Sequence, residues 1–259
     1  RLDSHIRMAN PRTADTERAL PVRPGGCQGL LCTARMGPPR AAGRGVGCCK
    51  SLLSAVDRGA QLTPPLAQTI FATELDLLLL RLHELSPHVS AFYIIESSHS
   101  FTGVPKPPLL ADALLTDPFK PFIDRIHFTY RQGRTLERGE DPFTQENEVR
   151  SAMDAILLAN FPPAPAPPPV MLFSDMDEIP SRETVALLKA CDFGTSLHLG
   201  MREYVYSFAW VVGGDEMGVG SWRASAVQWT ARGDTSIGEY YRHSKVTERI
   251  LGDSGWHCS

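Results

Sequence analysis

The segment VMLFSDMDEIP, residues 170–180, runs from an apolar stretch directly into three carboxylates. Its first residues are apolar and strand-favouring, and they predict a buried strand. Asp175, Asp177 and Glu178 follow that strand. In extended backbone, residues two positions apart project to the same side, so Asp175 and Asp177 would point together and Glu178 away. The repulsion between the two carboxylates then needs a cation, a proton or bulk water to relieve it.

The chain on either side of this segment predicts an α/β fold. Apolar runs of strand length alternate with stretches that have the length and composition of helices. We predict strands within residues 68–76, 89–97, 125–130, 170–175, 196–210 and 226–230, and helices over residues 74–85, 143–160 and 182–190. Thr144 is the expected cap of the second helix, and Ser181 of the third. Because the early strands are apolar throughout, we expect a mainly parallel sheet flanked by helices.

Composition sets further bounds on fold and function. The chain has 259 residues and a formal net charge of −3, so no basic excess points to nucleic acid. No stretch approaches the roughly 20 apolar residues that a membrane helix needs. Residues 1–62 are biased toward Gly, Pro and Arg, and we expect a disordered extension there and a folded domain over residues 63–259. FPPAPAPPP, residues 161–169, is expected to be a loop or a polyproline spacer.

Neither the cysteines nor the start of the chain fixes the cellular compartment. The six cysteines include no CxxC pair, so a zinc site is not expected, and any disulfide pairing stays open. The chain opens on Arg1 without an apolar signal core. That start fits either a cytosolic protein or numbering that begins within a longer chain.

The spacing of Asp175 and Asp177 suits a metal–diphosphate. Ligands of open α/β sheets bind beyond the carboxyl ends of the strands, where these residues are expected to lie. Hard divalent cations such as Mg²⁺ and Mn²⁺ take one or two carboxylates together with phosphate oxygens. The alternative is an exposed turn before a helix, where acidic residues favour the helix dipole. Both interpretations are open at this point.

Five sequence blocks occur in the order and approximate spacing of one protein family. They are ELDLLLLRLHEL, FYIIESSHSFTGVPKP, FSDMDEIP, LHLGMREYVYSFAW and GWHCS, within residues 68–259. Together they resemble glycosyltransferase family seventeen, the β-1,4-mannosyl-glycoprotein β-1,4-N-acetylglucosaminyltransferases, and look most like its fungal members. The resemblance implies a GT-A-like, Rossmann-related fold, and an inverting transfer of N-acetylglucosamine from UDP-N-acetylglucosamine to a mannose hydroxyl of an N-glycan or glycoprotein. It also implies a divalent metal, Mn²⁺ or Mg²⁺, and a location in Golgi or secretory-pathway membranes.

The resemblance also implies roles for the acidic residues. Asp175 and Asp177 become metal ligands, and His257 in GWHCS can complete the metal site with a neutral imidazole. Glu96 and Glu178 are the candidate bases that take the proton of the acceptor hydroxyl. For Glu96 the alternative is a strand-end carboxylate satisfied by backbone donors, and for His257 it is a structural histidine.

Basic and aromatic residues are the candidate substrate contacts. Lys106 and Arg150 can neutralise the diphosphate, although Lys106 also suits a solvated loop and Arg150 a simple helix pair with Glu146. Trp210 and Trp256 are candidate contacts to the substrate, with Trp210 placed to stack on a sugar. An aromatic row alternates along the predicted strand that ends at Trp210, and its default expectation is core packing. The row consists of Tyr204, Tyr206, Phe208 and Trp210.

Departures from the family pattern keep two other functions open. Residues 1–62 match no family block, and the chain ends within a block at Ser259, so we expect a domain that is incomplete on its acceptor side. The first alternative is therefore a truncated, non-catalytic relative that binds a nucleotide sugar or a glycan. The second is a phosphohydrolase with Asp175 as nucleophile and Asp177 as acid/base.

Overall fold

A computed structural model of the chain describes residues 6–8, 65–161, 169–212, 221–229 and 247–258. These residues form two β-sheets and four α-helices. The strands are β1 (Ile6–Met8), β2 (Leu66–Phe71), β3 (Ala91–Ser97), β4 (Ile126–Arg131), β5 (Val170–Phe173), β6 (Glu178–Pro180), β7 (Ser196–Leu199), β8 (Arg202–Tyr204), β9 (Trp210–Val212), β10 (Ser225–Gln228), β11 (Ile250–Leu251) and β12 (Gly255–Cys258). The helices are α1 (Leu75–Leu85), α2 (Leu110–Ala113), α3 (Pro142–Asn160) and α4 (Arg182–Ala190), with a 3-10 helix at Lys120–Arg125.

The larger sheet has seven strands in the order β4–β3–β2–β5–β10–β7–β11. Six of them run parallel, and β10 runs antiparallel to both of its neighbours, β5 and β7. Strands β2, β3 and β5 are buried along almost their whole length, as their apolar sequences require. The predicted α/β class with a mainly parallel sheet flanked by helices is confirmed.

The core has two layers, one on each face of this sheet. Successive residues of β3 point to opposite faces, so Ile94 packs with α1 and α4 while Ile95 packs with α3. Leu82 is a fully buried member of the first layer, and Met153 and Leu157 belong to the second. Helices therefore cover both faces, which explains why the central strands are mostly apolar rather than alternating between apolar and polar residues.

The smaller sheet has five strands in the order β1–β9–β8–β12–β6. Strand β12 lies next to the edge strand β6, to which it is antiparallel, and runs parallel to β8 on its other side. The chain leaves the larger sheet at the end of β5, Phe173, and enters the smaller sheet at the start of β6, Glu178. The acidic residues therefore lie where the chain crosses from one sheet to the other.

The structure corrects one helix cap and confirms another. Helix α3 begins at Pro142, and the Asp141 side chain accepts a hydrogen bond from the Phe143 backbone N–H at 3.0 Å. The predicted Thr144 cap is wrong because proline at the first helical position moves the start of the helix toward the N-terminus. Ser181 caps α4 as predicted, accepting from the Thr184 backbone N–H at 3.1 Å.

Parts of the predicted extension and spacer lie outside the described residues. Ile6–Met8 pairs antiparallel with β9 at the edge of the smaller sheet, and the rest of residues 1–62 is not described. Residues 162–168 of the proline-rich segment are also outside. The described cysteines, Cys191 and Cys258, are half-buried and are not joined to each other by a disulfide. In the described ranges, no helix is both long and apolar enough to cross a membrane.

Gly255 is expected to be essential for the pairing of β12 with β6. Its φ is +153°, and an added Cβ would lie 2.1 Å from the Ile179 carbonyl oxygen. Gly255→Ala should therefore combine backbone strain of about 1–3 kcal/mol with a packing clash of about 1–3 kcal/mol. Gly139→Ala is the matched control, because Gly139 has a φ of +83° with nothing within 4 Å of the added Cβ.

Urea unfolding of both variants measures the difference. We expect Gly139→Ala to lose only about 1–2 kcal/mol, the cost of a left-handed backbone conformation. Gly255→Ala should lose clearly more free energy of unfolding than that. Equal losses would show that β12 and β6 are not in the close contact described here.

Candidate active site

A cleft of about 460 Å³ opens at the carboxyl ends of the parallel strands β2, β3 and β5. This volume lies within the range of small-molecule sites, and the place is the one where open α/β sheets bind ligands. Its charged or titratable lining residues in the described part of the chain are Glu74, His99, Glu146, Asp175, Asp177 and Cys258. Its apolar lining includes Phe71, Leu77 and Phe101.

The acidic segment is a turn rather than an extended strand. Strand β5 ends at Phe173, Met176 and Asp177 form a turn, and β6 begins at Glu178. The expectation of extended backbone over residues 175–178 is therefore wrong, although Asp175 and Asp177 both line the cleft and Glu178 is not among its described lining residues. Each of the three carboxylates instead has its own partners, which relieves their mutual repulsion within the protein.

Arg150 of α3 is the partner of Asp175. Its Nη1 lies 3.0 Å from Asp175 Oδ1, and its Nη2 donates to Asp175 Oδ2 at 3.1 Å. The same guanidinium bonds Glu146, with Nε donating to Oε1 at 3.0 Å. Arg150 is only 4% exposed, so solvent screens the charges of this bidentate ion pair far less than those of a surface ion pair. The predicted helix pair with Glu146 is confirmed, and the phosphate contact stays a prediction.

His257 of β12 is the partner of Asp177. Its Nε2 lies 3.3 Å from Asp177 Oδ2, and its Nδ1 lies 3.8 Å from Glu203 Oε1. The hydrogen bond with Asp177 raises the pKa of His257 above its ordinary value, against the opposing effect of burial. The Cys258 backbone N–H donates to the Asp177 carbonyl at 2.9 Å. Strand β12 therefore holds both ends of the Asp177 residue, its backbone and its carboxylate.

Arg81 of α1 holds the backbone of the acidic turn. It is 1% exposed, and its Nη1 donates to the Asp175 carbonyl at 3.1 Å and to the Glu178 carbonyl at 2.7 Å. Its Nη2 donates to the Ser174 hydroxyl. Sequence reasoning missed this residue, although a charged side chain within the apolar run LLLLRL was the signal, since a buried charge requires partners.

Glu178 is buried beneath the turn. One carboxylate oxygen accepts from the Asp175 backbone N–H at 3.2 Å, and the other accepts from the Ser221 hydroxyl at 3.2 Å. Burial raises the pKa of Glu178, and the charge of Asp175 raises it further. Glu178 is not among the described residues that line the cleft. Its role as catalytic base stays a prediction.

Glu96, at the end of β3, holds the start of α2. Its carboxylate accepts from Lys106 Nζ at 2.5 Å and from the backbone N–H groups of Leu109 and Leu110 at 2.9 and 3.1 Å. The expected alternative, a strand-end carboxylate satisfied by backbone donors, is what the structure shows. Lys106 is not a solvated loop lysine, because its side chain is 10% exposed. The catalytic role of Glu96 and the diphosphate role of Lys106 stay predictions.

The two candidate tryptophans lie in the smaller sheet. Trp210 begins β9 and Trp256 lies in β12, and both are half-buried. Neither is among the described residues that line the cleft, and their substrate roles stay predictions. Sequence reasoning missed Glu74 and His99 as lining residues, although Glu74 lies near the end of the first predicted strand segment and His99 closely follows the second.

Asp175 and Asp177 are the described residues that could hold a cation arriving with phosphate. No group of three or more His, Cys, Asp or Glu side chains in the described ranges is arranged to hold a metal ion. Asp175 and Asp177 do line the cleft, and hard cations accept one or two carboxylates and complete their shell with phosphate oxygens and water. These two residues could hold such an ion. The role of His257 as a further metal ligand stays a prediction, and in this structure its imidazole contacts Asp177.

The fold and the site define an α/β protein with a cleft of ligand size beside a carboxylate-bearing turn at the edge of its parallel sheet. The family model for glycosyltransferase family 17 matches residues 65–259, and the chain belongs to this family. It is similar to the β-1,4-mannosyl-glycoprotein 4-β-N-acetylglucosaminyltransferases of Homo sapiens, Rattus norvegicus and Mus musculus. Each is 26% identical over 208 residues, which cover 72% of this chain and 38% of the relative. The chain thus spans well under half the length of these relatives, and the predicted family resemblance is confirmed.

The His257–Asp177 pair predicts a pH-dependent stability. Because the folded-state pKa of His257 is raised, its contribution is fully present below the unfolded pKa of about 6.5. The contribution is lost as pH rises through the folded pKa. The stability difference between the wild type and His257→Gln should therefore be largest near about pH 6 and shrink toward about pH 9.

Urea midpoints across that pH range measure this difference. Asp177→Asn should remove the same pH-dependent component, and the double variant should add nothing to it. His127→Gln, at an exposed position of β4, is the control. A His257→Gln difference that stays constant across the range would contradict the pairing.

Proposed function

We propose that this protein transfers N-acetylglucosamine from UDP-N-acetylglucosamine to a mannose hydroxyl of an N-glycan, inverting the anomeric centre to form a β-1,4 linkage. Family membership supports glycosyl transfer in general, and the activity for which the similar mammalian enzymes are named supplies the sugar and the acceptor. The observation that carries the proposal is the acidic turn, which presents Asp175 and Asp177 to a nucleotide-sized cleft. The acceptor identity and a location in Golgi or secretory membranes belong to the same proposal.

A nucleoside diphosphate would enter this acidic cleft together with a divalent cation. Asp175 and Asp177 are the residues that would hold Mn²⁺ or Mg²⁺, and the bound ion would stabilise the departing diphosphate. Arg150 contributes the permanent positive charge, shared in this structure between Asp175 and Glu146. Arg150 is buried and is not among the described residues that line the cleft, so a diphosphate would reach this guanidinium only by displacing those two carboxylates from its donors.

The transfer step needs a nucleophile, a leaving group and a base. The acceptor hydroxyl oxygen attacks C1 of the sugar, and the bond from C1 to the diphosphate oxygen breaks. UDP carries away the electron pair, and the hydroxyl proton passes to a carboxylate. Glu96 and Glu178 would each have to release an interior donor to act as that base. Asp177 differs from these two candidates because its carboxylate already lines the cleft, with His257 as its partner, and it is assigned to the metal ion.

Binding of Mn²⁺ with UDP is expected to raise the melting temperature. At a ligand concentration near 100 times Kd, a ligand that binds only the folded state adds about 2.7 kcal/mol, or roughly 5–10 °C. Asp177→Asn keeps the shape of the side chain but removes its charge, so it should lose most of this shift. Asp117→Asn is the matched control, because the Asp117 side chain is 92% exposed and outside the cleft lining.

If Asp177→Asn keeps the full rise in melting temperature, Asp177 does not hold the metal ion, and the acidic turn is only a connection between the two sheets. Turnover is then measured as UDP release with and without a mannose-terminated acceptor. Release that depends on the acceptor, with a disaccharide linkage formed, supports the transferase. A thermal shift without release indicates the non-catalytic alternative. Acceptor-independent cleavage of a phosphomonoester indicates the phosphohydrolase, which the family assignment does not favour.

A further inference from the structure

A second, smaller recess lies directly beside the cleft. Its volume is about 220 Å³, less than half that of the cleft at about 460 Å³. Its lining residues are Leu77, Tyr204, Tyr206, Ser207, Phe208 and Cys258. Two of these, Leu77 and Cys258, also line the cleft. The two spaces therefore share a wall, and ligands in them would be close neighbours.

The recess is bordered by aromatic rings that face solvent. Tyr206 is 90% exposed and Phe208 is 57% exposed. The Phe208 ring stands edge to face with Tyr204, at a centroid distance of 5.2 Å and an angle of 67°. The expectation of core packing is wrong for Tyr206 and Phe208, because β8 ends at Tyr204 and the chain turns before β9 begins at Trp210.

The backbone of this turn keeps Tyr206 in an unusual conformation. Its φ is +65°, in the left-handed region that few residues other than glycine adopt. The turn is closed by the Val205 backbone N–H donating to the Trp210 carbonyl at 3.0 Å, and by the Trp210 N–H donating to the Ser207 carbonyl at 3.0 Å. A strained, fully exposed tyrosine is costly in stability alone, which points to a role in binding.

We propose that Tyr206 and Phe208 form the acceptor subsite, on which one hexose ring of the acceptor glycan stacks. This inference rests on the proposed transferase function. A pyranose ring has a face made of C–H groups, and the electron-rich face of an aromatic ring attracts such groups. The hydroxyl groups of the pyranose lie at the rim of the sugar ring, where the tyrosine hydroxyl and water can form hydrogen bonds with them.

The distribution of charge favours a neutral sugar as the occupant. The described lining of the recess contains no Asp, Glu, Lys or Arg, whereas the neighbouring cleft is lined by Glu74, Glu146, Asp175 and Asp177. An anionic diphosphate would enter the cleft only together with a cation held by these carboxylates, whereas the recess, with no charged side chain in its described lining, suits an uncharged acceptor. A hexose on the aromatic turn would reach the cleft across Leu77 and Cys258, which is the arrangement that transfer between two substrates requires.

Saturation-transfer NMR with a mannose-terminated oligosaccharide, in the presence of Mn²⁺ and UDP, tests the subsite. Phe208→Leu and Tyr206→Leu keep an apolar side chain but remove the flat ring. Each should weaken glycan binding about tenfold, while Phe208→Trp and Tyr206→Trp should retain it. The thermal shift by Mn²⁺–UDP should stay unchanged in all four. Tyr130→Leu, at a 43% exposed aromatic position of β4, is the control and should bind as the wild type does.

The outcomes separate this inference from the proposed function. Glycan signals that are absent in the wild type, or unchanged in the leucine variants, would overturn the subsite while leaving the Mn²⁺–UDP shift intact. A change of elution volume in the leucine variants without a change in glycan binding would make the turn a protein contact and also overturn it. Loss of the Mn²⁺–UDP shift and of UDP release in the wild type would instead defeat the transferase proposal.

Discussion

The buried guanidinium of Arg81 holds the acidic turn in place, and the geometry of the candidate site follows from that contact. Its donors reach the carbonyls of Asp175 and Glu178, which lie on either side of the turn between the two sheets. A buried carbonyl that loses its donor costs about 1–3 kcal/mol. The turn therefore cannot shift without a substantial loss of stability, and the carboxylates that it carries are held at the edge of the sheet.

With the backbone fixed, the three negative charges are separated by their partners. Arg150 engages Asp175, His257 engages Asp177, and Glu178 is turned inward to an N–H and a hydroxyl. The repulsion within the sequence segment is thus relieved by protein cations and interior donors. Under the proposed function, a metal–diphosphate would enter a site whose carboxylates are already paired. Binding would then replace contacts of Asp175 with Arg150 and of Asp177 with His257 by contacts to the metal ion.

The sequence pattern predicted those strands and helix starts that are decided by residues close together in the chain. The apolar runs placed β3 and β5, and Ser181 marked the start of α4, because burial and capping are decided by neighbouring residues. The contacts that shape the site were not predictable in this way. Arg81 meets the Asp175 and Glu178 carbonyls from 94 and 97 residues away, and no periodicity reports such a contact. The aromatic row failed for a related reason, since alternation could not show that the strand ends at Tyr204.

The central claim is that the acidic turn is a preformed part of the fold, and amide hydrogen exchange in the ligand-free protein tests it most directly. The Asp175 N–H donates to Glu178 Oε2 at 3.2 Å, and the Glu178 N–H donates to the Asp175 carbonyl at 3.1 Å. We predict slow exchange at both amides, and exchange at least about tenfold faster in Arg81→Met after normalisation to the Ile95 amide of the core. Exchange of the two amides at the rate of an unstructured chain in the wild type would contradict the account.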